Sequence, residues 1–169
     1  MGKKQKSNGL QKVNKKIKGA VELSQDGLLF KSKLELSVYN RLVGMGYEVR
    51  YEPFTICLWK GHVPSTPFYT RTKKGTGQKH LTLKDRKLAD IKYTPDFYFN
   101  YNGLDVWIEV KGYENDVFYI KKKLFIAYLD NKFFETKQKS IYFEIFNISQ
   151  LLEALEIIKE YAKNETTTD

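Results

Sequence analysis

Hydrophobic and polar positions along the chain change period several times, and each change predicts an element. "FKSKLELSVYNRLVGMG" has helical spacing, with Ser32 at its N-cap and Gly44 and Gly46 as a stop signal. "YEVRYEPFTICLW" alternates like a strand that bends or breaks at Pro53. The first part of the chain therefore predicts one helix followed by strands.

The second half of the chain continues with two helices that flank a strand. "ENDVFYIKKKLFIAYLDN" predicts a helix, and its core-facing residues are expected to be Phe118, Leu124, Phe125 and Tyr128. "KSIYFEIFN" predicts a strand, and "SQLLEALEIIKEYAK" predicts a capped amphipathic helix. The order helix, strands, helix, strand, helix predicts an α/β fold in which helices flank a mixed central sheet.

The chain length predicts one domain with additions. The protein has 169 residues, 41% of them hydrophobic, which is enough for one core. We expect a basic N-terminal arm at 1–20, a single domain at 21–163 and a C-terminal tail at 164–169. Gly, Pro, Thr and Lys are frequent in 60–91, which predicts a basic insertion forming a long loop or a mobile hairpin.

Positive charge is concentrated in two segments of a chain whose net charge is +9. Residues 1–20 contain seven lysines and no acid, and residues 60–92 contain nine Lys/Arg against two Asp. The rest of the chain is mildly acidic. Basic segments on an acidic body indicate a polyanionic partner, most often nucleic acid, although a solvated tail is the simpler alternative.

Several classes of function are disfavoured by what the sequence lacks. No apolar run approaches the ~18–20 residues of a membrane span, and the basic N-terminus has no apolar run typical of a secretory signal. Cys57 is the only cysteine, which predicts a reducing, cytoplasmic setting and excludes a cysteine-based zinc cluster. His62 and His80 are too far apart in sequence to indicate a histidine metal site.

The segment 93–112, "YTPDFYFNYNGLDVWIEVKG", carries the strongest local signal. Asn102-Gly103 between alternating segments predicts a two-residue hairpin turn, because both turn positions need positive φ. With that turn, Tyr98 pairs with Trp107 and Asp96 with Glu109. Directly paired like charges are destabilising, so this register requires a physical reason.

The alternation of the hairpin sorts its residues onto two faces. The apolar face, expected to be core, contains Tyr93, Phe97, Phe99, Val106, Ile108 and Val110. The polar face contains Asp96, Tyr98, Asn100, Asp105, Trp107, Glu109 and Lys111. If the polar face were open to solvent, water and salt would screen the paired carboxylates to a small cost.

The alternative is a divalent cation between the two carboxylates. Asp96 and Glu109 form a hard-oxygen site suited to Mg²⁺ or Mn²⁺, with the main-chain carbonyl of Val110 as a further ligand. Lys111 lies two residues beyond Glu109 on the same face, where an ammonium can orient water or stabilise charge on phosphate. These groups suffice for metal-assisted phosphodiester hydrolysis.

Glu35 has two interpretations. It lies three residues after Ser32, the spacing of a capping box. It also lies on the helical stripe that carries Val38, Tyr39 and Leu42, where an ionisable residue is unusual. In the functional interpretation the first helix covers the charged face of the hairpin and brings Glu35 to the metal site.

These residues resemble the PD-(D/E)XK nuclease signature. Pro95-Asp96, the thirteen-residue step to Glu109, and Glu109-Val110-Lys111 match it, with Glu35 as the upstream helical glutamate. The chain is most similar to phage nucleases of the endonuclease I type, which resolve Holliday junctions. The likeness covers roughly residues 31–146.

The resemblance implies a restriction-endonuclease-like αβββαβ core and structure-selective, Mg²⁺- or Mn²⁺-dependent DNA cleavage. It implies that Asp96 and Glu109 are metal ligands, that Lys111 is the catalytic lysine and that Glu35 is an additional acidic residue. Relatives that resolve junctions act as homodimers, which makes a homodimer one expected arrangement. A non-catalytic nucleic-acid-binding or assembly module on the same fold is the alternative, and RNA remains a second substrate class.

Further residues are candidates for DNA contact. They are Arg71, Lys73, Lys74 and Lys79 in the basic insertion, and Lys121, Lys122 and Lys123 near the site. For the three consecutive lysines a solvated helix face is the alternative. Tyr98 and Trp107 are expected to pack under the first helix rather than to stack on bases.

Overall fold

The computed structural model describes residues 23–74, 78–112 and 116–166, and side chains within these ranges except at 72–79 and 164–166. The predicted N-terminal arm lies outside the described residues. Within them, the strands are β1 (Leu23–Gln25), β2 (Leu28–Phe30), β3 (Arg50–Tyr51), β4 (Ile56–Trp59), β5 (Phe68–Lys74), β6 (Gln78–Lys84), β7 (Ile91–Tyr93), β8 (Phe97–Tyr101), β9 (Leu104–Val110) and β10 (Ser140–Ile145). The helices are α1 (Lys33–Gly44), α2 (Asp116–Thr136) and α3 (Ile148–Thr166).

The central sheet has the order β10-β9-β8-β3 and is mixed. β8 pairs antiparallel with both β3 and β9, whereas β9 and β10 are parallel, because the long helix α2 connects them as a crossover. The described residues form three further two-stranded sheets: β1-β2, β4-β7 and β5-β6. The predicted mixed α/β class, with a mixed sheet and helices packed on it, is confirmed.

Helices cover both faces of this sheet. α1 and α3 pack on the apolar face of the hairpin, where Val38, Leu42, Phe97, Ile108 and Leu155 belong to one buried cluster. The expectation that α1 covers the charged face is therefore wrong. Val38, Tyr39 and Leu42 follow helical spacing and match the apolar side of the sheet, so burying them turns α1 to that side.

α2 covers the other face of the sheet. A second cluster joins Tyr93, Trp107, Phe118, Phe125 and Leu129. The prediction that Tyr93 lies on the apolar face is wrong. The chain bends between β7 and β8, so β7 leaves the central sheet to pair with β4 and strand alternation does not carry across the bend.

Two of the four core residues predicted for α2 are misplaced. Phe118 and Phe125 are buried as expected, but Leu124 is only half-buried and Tyr128 is 36% exposed. α2 has apolar residues on all sides, so its sequence does not single out the face that meets the sheet.

The predicted hairpin register is confirmed. Phe97 pairs with Ile108 and Tyr98 with Trp107, and the turn residues Asn102 and Gly103 have φ of 50° and 86°. The left-handed backbone at both positions is the conformation that an Asn-Gly turn supplies at low cost.

Replacing Gly103 with alanine is expected to lower the free energy of unfolding by about 1–2 kcal/mol, because a Cβ strains a residue with positive φ. Chemical denaturation measures the change. Gly44→Ala is the matched control: Gly44 ends α1 without positive φ and has open space around it, so little change or a small gain is expected. Equal losses in both variants would show that φ is not the cause.

The basic insertion contains a regular β-hairpin. The sequence predicted either a hairpin or a long loop here. β5 and β6 pair over their full length, with Arg71 opposite Leu81. The base of the insertion is tied by the Leu88 amide, which donates to the His62 carbonyl at 2.9 Å. Gly61 is required there, since a Cβ would lie 1.9 Å from the carbonyl oxygen of Leu88.

Two features differ from the prediction, and one predicted break is confirmed. The β1-β2 hairpin was not predicted, although Asp26-Gly27 at its turn is a recognised signal and both residues have positive φ. α3 continues to Thr166, into the predicted tail. The predicted break at Pro53 separates β3 from β4, which belong to different sheets.

Candidate metal and catalytic site

The end of the hairpin brings Asp96 and Glu109 together. β8 begins at Phe97, and the chain bends at Asp96 so that the carboxylate accepts a hydrogen bond from the Val110 amide at 2.7 Å. The Asp96 carboxylate thus accepts the hydrogen bond that a main-chain carbonyl of β8 would accept if β8 continued beside Val110 of β9. Asp96 is 8% exposed and Glu109 is 3% exposed, so the alternative of a solvent-screened surface pair is wrong.

Burial and the repulsion between the two carboxylates make it harder to ionise Asp96 and Glu109 together. Burial raises the pKa of Asp96 to about 8, the negative charge of Glu109 adds to this rise, and the Val110 amide opposes it. A carboxyl group with this pKa is mostly protonated at pH 7. The fold therefore keeps together two carboxyl groups that are costly to ionise at the same time, and a cation would lower that cost.

Glu109 is held by two neighbours from different elements. The Tyr93 hydroxyl donates to its Oε2 at 2.6 Å, and Lys111 forms an ion pair with its Oε1. The Lys111 ammonium also lies 4.0 Å from the centre of the Phe118 ring, a cation–π contact that positions it. Burial and the charge of Glu109 raise the pKa of Tyr93, so its hydroxyl stays protonated and remains a donor.

Tyr93→Phe is expected to lower the free energy of unfolding by about 1–3 kcal/mol, because the lost hydrogen bond serves a buried carboxylate. Equilibrium denaturation gives the value. Tyr69→Phe is the matched control: its side chain is 60% exposed on β5, and a change within about 0.5 kcal/mol is expected. A Tyr93 variant as stable as the Tyr69 variant would contradict this role.

The main-chain N–H and C=O groups of Val110 point to the edge of β9 on which Asp96 lies. The Lys111 amide donates to the Ile145 carbonyl of β10 at 2.9 Å. Because successive strand residues direct their N–H and C=O groups to opposite edges, the polar groups of Val110 point away from β10, towards Asp96. The Val110 carbonyl thus lies on the side predicted for a ligand.

Glu35 caps α1 and also lies near the pair. The Glu35 amide donates to Ser32 Oγ at 3.1 Å, which confirms Ser32 as N-cap. The Glu35 carboxylate accepts hydrogen bonds from Ser32 Oγ, from the Lys31 amide and from the Tyr51 hydroxyl. Its charge contributes to the raised pKa of Asp96, although its carboxylate is committed to the cap and to Tyr51.

The donor set fits a hard divalent ion that keeps waters. Among the described residues, no group of three or more His, Cys, Asp or Glu side chains is placed to hold a metal ion. Asp96, Glu109 and the Val110 carbonyl supply a partial shell of oxygens. Mg²⁺ is commonly bound by one or two carboxylates with water and substrate phosphate completing the shell.

β10 adds a charged pair that the sequence did not single out. Glu144 stands beside Glu109 in the parallel register, and the Lys122 ammonium contacts it at 2.8–3.0 Å. A glutamate in the middle of the strand "SIYFEI" was the available signal. Lys122 is therefore directed to Glu144, not to open solvent as the solvated-face alternative assumes.

The other basic candidates are spread over two surfaces. Lys123 is exposed and its ammonium lies 4.4 Å from the Tyr119 ring, while Lys121 is half-buried. Arg71 is exposed on β5. The backbone places Lys73 opposite Lys79 and Lys74 opposite Gln78, but the side chains of these residues lie outside the described part.

Tyr98 and Trp107 pack, as expected, but not under α1. Their ring centroids are 4.5 Å apart, and Trp107 meets Phe125 of α2 and Phe54 edge-to-face. The partner helix differs from the prediction because α2, not α1, covers this face.

Comparisons of the chain with protein-family models, with curated proteins and with solved structures find no match. Among the residues that the structure describes, no helix combines the length and apolar character needed to cross a membrane.

Proposed function

We propose that the protein is a metal-dependent DNA endonuclease that hydrolyses phosphodiester bonds. The observation that carries the proposal is the buried Asp96–Glu109 pair with Lys111 in contact. Two carboxylates kept together out of water are costly unless a cation or a proton is shared between them. A divalent cation provides that compensation, and it can also hold a phosphate oxygen of the substrate.

Asp105 offers an internal comparison. This carboxylate is also buried, but Tyr98, Asn100 and Lys132 donate hydrogen bonds to it at 2.8–3.0 Å. Burial alone would raise its pKa, yet the bonds from Lys132 and its neighbours hold that pKa below its usual range. The fold thus surrounds the Asp105 carboxylate with hydrogen-bond donors. The Asp96 carboxyl group lies beside the negative charge of Glu109 instead.

The residues of the site have separable roles. A bound Mg²⁺ or Mn²⁺ would lower the pKa of a coordinated water and polarise a phosphate oxygen. Asp96, Glu109 and the Val110 carbonyl would hold it. Lys111, fixed over Phe118, would orient the attacking water and offset negative charge on the phosphate. Tyr93 would keep Glu109 in a ligating orientation, and Glu35 would add negative charge through its place beside Asp96.

The topology supports the finer fold assignment. The strands of the central sheet and the helices packed on it follow the chain order α1, β3, β8, β9, α2, β10 and α3, and the first six match the αβββαβ order that the resemblance implies. The carboxylates lie at the end of the β8-β9 hairpin, with Lys111 immediately after β9. We propose that the chain is a PD-(D/E)XK nuclease on this basis.

DNA is the proposed polyanion, with branched DNA as the preferred form. The net charge of +9 and the exposed Arg71 on the β5-β6 hairpin support a nucleic-acid partner outside the acidic site. Lys121 and Lys123 are further candidates on α2. The alternative, a non-catalytic binding module, retains the charge distribution but gives no reason for the buried acidic pair.

Nicking assays on a four-way junction, a linear duplex and a single strand test the proposal. Cleavage with Mg²⁺ or Mn²⁺ and its loss in EDTA are expected, with the junction cut fastest. Binding of all three substrates without cleavage under any metal condition would refute the nuclease and favour the binding module. Cleavage of an RNA strand but not of DNA would reassign the substrate.

A further inference from the structure

The β5-β6 hairpin exposes its more apolar face. Two cross-strand pairs form this face, which we call the outer face: Tyr69 with Leu83, and Arg71 with Leu81. Tyr69 is 60% exposed, Leu81 is 75% exposed and Leu83 is 48% exposed. Arg71 is exposed beside them. Three large apolar or aromatic side chains therefore stand together in solvent next to a guanidinium group.

The opposite face of the hairpin is less exposed. Phe68, Thr70 and Lys84 alternate with the residues of the outer face, and each is half-buried. An antiparallel sheet that only covers a core turns its apolar face inward and its polar face to water. The hairpin instead leaves three apolar or aromatic side chains in water, which folding does not explain. An exposed apolar cluster rimmed by polar residues is typical of a binding surface.

The charge of the hairpin indicates the chemistry of its partner. Residues 68–84 contain five Lys/Arg and no Asp/Glu. The register sets Lys73 directly opposite Lys79, and like charges in that position destabilise a strand pair. A bound polyanion would remove this cost. The partner therefore has to offer negative charge along its length, together with apolar surface for the outer face.

Nucleic acid in which base stacking is interrupted meets both requirements. Its phosphates supply the negative charge, and the faces of its bases supply the apolar and aromatic surface. In a paired duplex those faces are hidden inside the stack, so a protein reaches only the backbone and the base edges. At a bulge or a branch point the base faces become accessible. A two-stranded β-ribbon also has the width that a DNA groove admits.

The hairpin is anchored to the strands that lead into the candidate site. The Gly61 amide donates to Asp90 Oδ1 at 3.0 Å, which ties the two ends of the insertion together next to β4 and β7. β7 carries Tyr93, whose hydroxyl donates to Glu109. Nucleic acid bound along the hairpin is therefore held by an arm whose base is fixed to the strand that contacts the carboxylate pair.

We propose that the outer face of the β5-β6 hairpin binds unstacked bases, and that the hairpin thereby selects DNA whose base stacking is interrupted. The identity of the polymer rests on the proposed function, whereas the binding surface is argued from the hairpin alone. Tyr69, Leu81 and Leu83 pack on the open base faces, and Arg71 contacts an adjoining phosphate. Because every base has a π-face, this recognition is independent of sequence.

Fluorescence anisotropy in EDTA tests the proposal with the full-length chain, a paired duplex, and the same duplex carrying a short bulge. Wild type is expected to bind the bulged duplex about tenfold more tightly than the paired one. Leu81→Ser is expected to reduce this preference to about twofold or less and to leave the affinity for the paired duplex unchanged. Leu81→Met keeps an apolar side chain, so it is expected to keep the preference. Circular dichroism checks that each variant is folded.

Two further variants separate the recognition of bases from that of phosphates. Arg71→Gln is expected to weaken the binding of both duplexes to the same extent, about threefold, since a phosphate contact carries no information on stacking. Leu152→Ser is the matched control for Leu81→Ser. Leu152 is 39% exposed on α3, and its substitution is expected to change neither affinity.

Equal wild-type affinities for the bulged and the paired duplex would overturn the proposal, as would a bulge preference that Leu81→Ser leaves intact. Binding to anionic phospholipid vesicles that Leu81→Ser abolishes, without a bulge preference, would reassign the outer face to a membrane. No cleavage takes place in EDTA, so the two proposals fail separately. A bulge preference that depends on Leu81 would support the hairpin even if no metal condition gave cleavage. Cleavage by a chain without that preference would overturn the hairpin alone.

Discussion

Glu109→Gln is expected to reduce metal-dependent DNA cleavage by about a thousandfold or more while DNA binding persists. Glutamine keeps the shape of the side chain and can still accept the hydrogen bond from Tyr93, so the hairpin and the site remain folded. What it removes is the negative charge that makes the pair a cation site. Losing metal-assisted activation costs several kcal/mol of barrier, and each 1.36 kcal/mol is tenfold in rate.

Glu156→Gln is the matched control for this prediction. Its carboxylate is 69% exposed and paired with Lys159 on α3, which packs on the apolar face of the hairpin. Cleavage within about twofold of wild type is expected, since an exposed ion pair contributes little. Single-turnover cleavage and filter binding on the same DNA separate the chemical step from affinity. If Glu109→Gln and Glu156→Gln cleaved at equal rates, the assignment of Glu109 would fail.

In the absence of divalent metal, the stability of the folded chain is expected to fall by about 2–4 kcal/mol between about pH 5 and about pH 9. Folding raises the pKa of Asp96 from its model value of 3.8 to about 8, chiefly through burial and then through the charge of Glu109. The folded state therefore holds a proton that the unfolded state has lost across this window. That contribution is complete below the unfolded pKa and disappears as the pH rises through about 8.

Asp96→Asn is the control for the pH dependence. The amide oxygen can still accept from Val110, but the side chain does not ionise, so the loss between about pH 5 and about pH 9 is expected to disappear. Excess Mg²⁺ is expected to stabilise wild type most at high pH, since binding requires the deprotonated carboxylate, and to leave the variant unchanged. Denaturation midpoints at several pH values measure both effects. Parallel pH profiles for wild type and variant would rule out Asp96 as the source.

The hairpin and its carboxylate pair were predictable from local sequence. Asn102-Gly103 fixes the turn, and alternation then carries Asp96 to Glu109 without information from elsewhere in the chain. Ser32 and Glu35 were likewise predictable as a helix start, because the contacts are only three residues apart. Short-range geometry of this kind leaves few alternatives.

The layer that covers the site was not predictable in the same way. Which helix packs on the polar face depends on the apolar surface of the whole sheet, and α2 is apolar on several sides. The local pattern therefore misassigned α1 to that face and Leu124 and Tyr128 to the core. The burial that makes the Asp96–Glu109 pair costly comes from this long-range packing, so the sequence predicted the pair but not its environment.

Tyr93 and Glu144 are two residues whose positions local sequence patterns did not predict. Tyr93 is two residues before Pro95, but the bend after β7 turns it towards Glu109 instead of the apolar core. Glu144 stands beside Glu109 only because β10 pairs in parallel with β9. Contacts between elements far apart in sequence decide both positions, and no local period encodes them.

The most direct test of the account is Mn²⁺ binding measured by electron paramagnetic resonance without nucleic acid, above the pKa of Asp96. Wild type is expected to bind Mn²⁺ saturably, with Asp96→Asn and Glu109→Gln each at least about tenfold weaker and Glu156→Gln unchanged. If wild type showed no saturable binding, or if the two site variants bound as tightly as wild type, the buried carboxylate pair would not be a metal site.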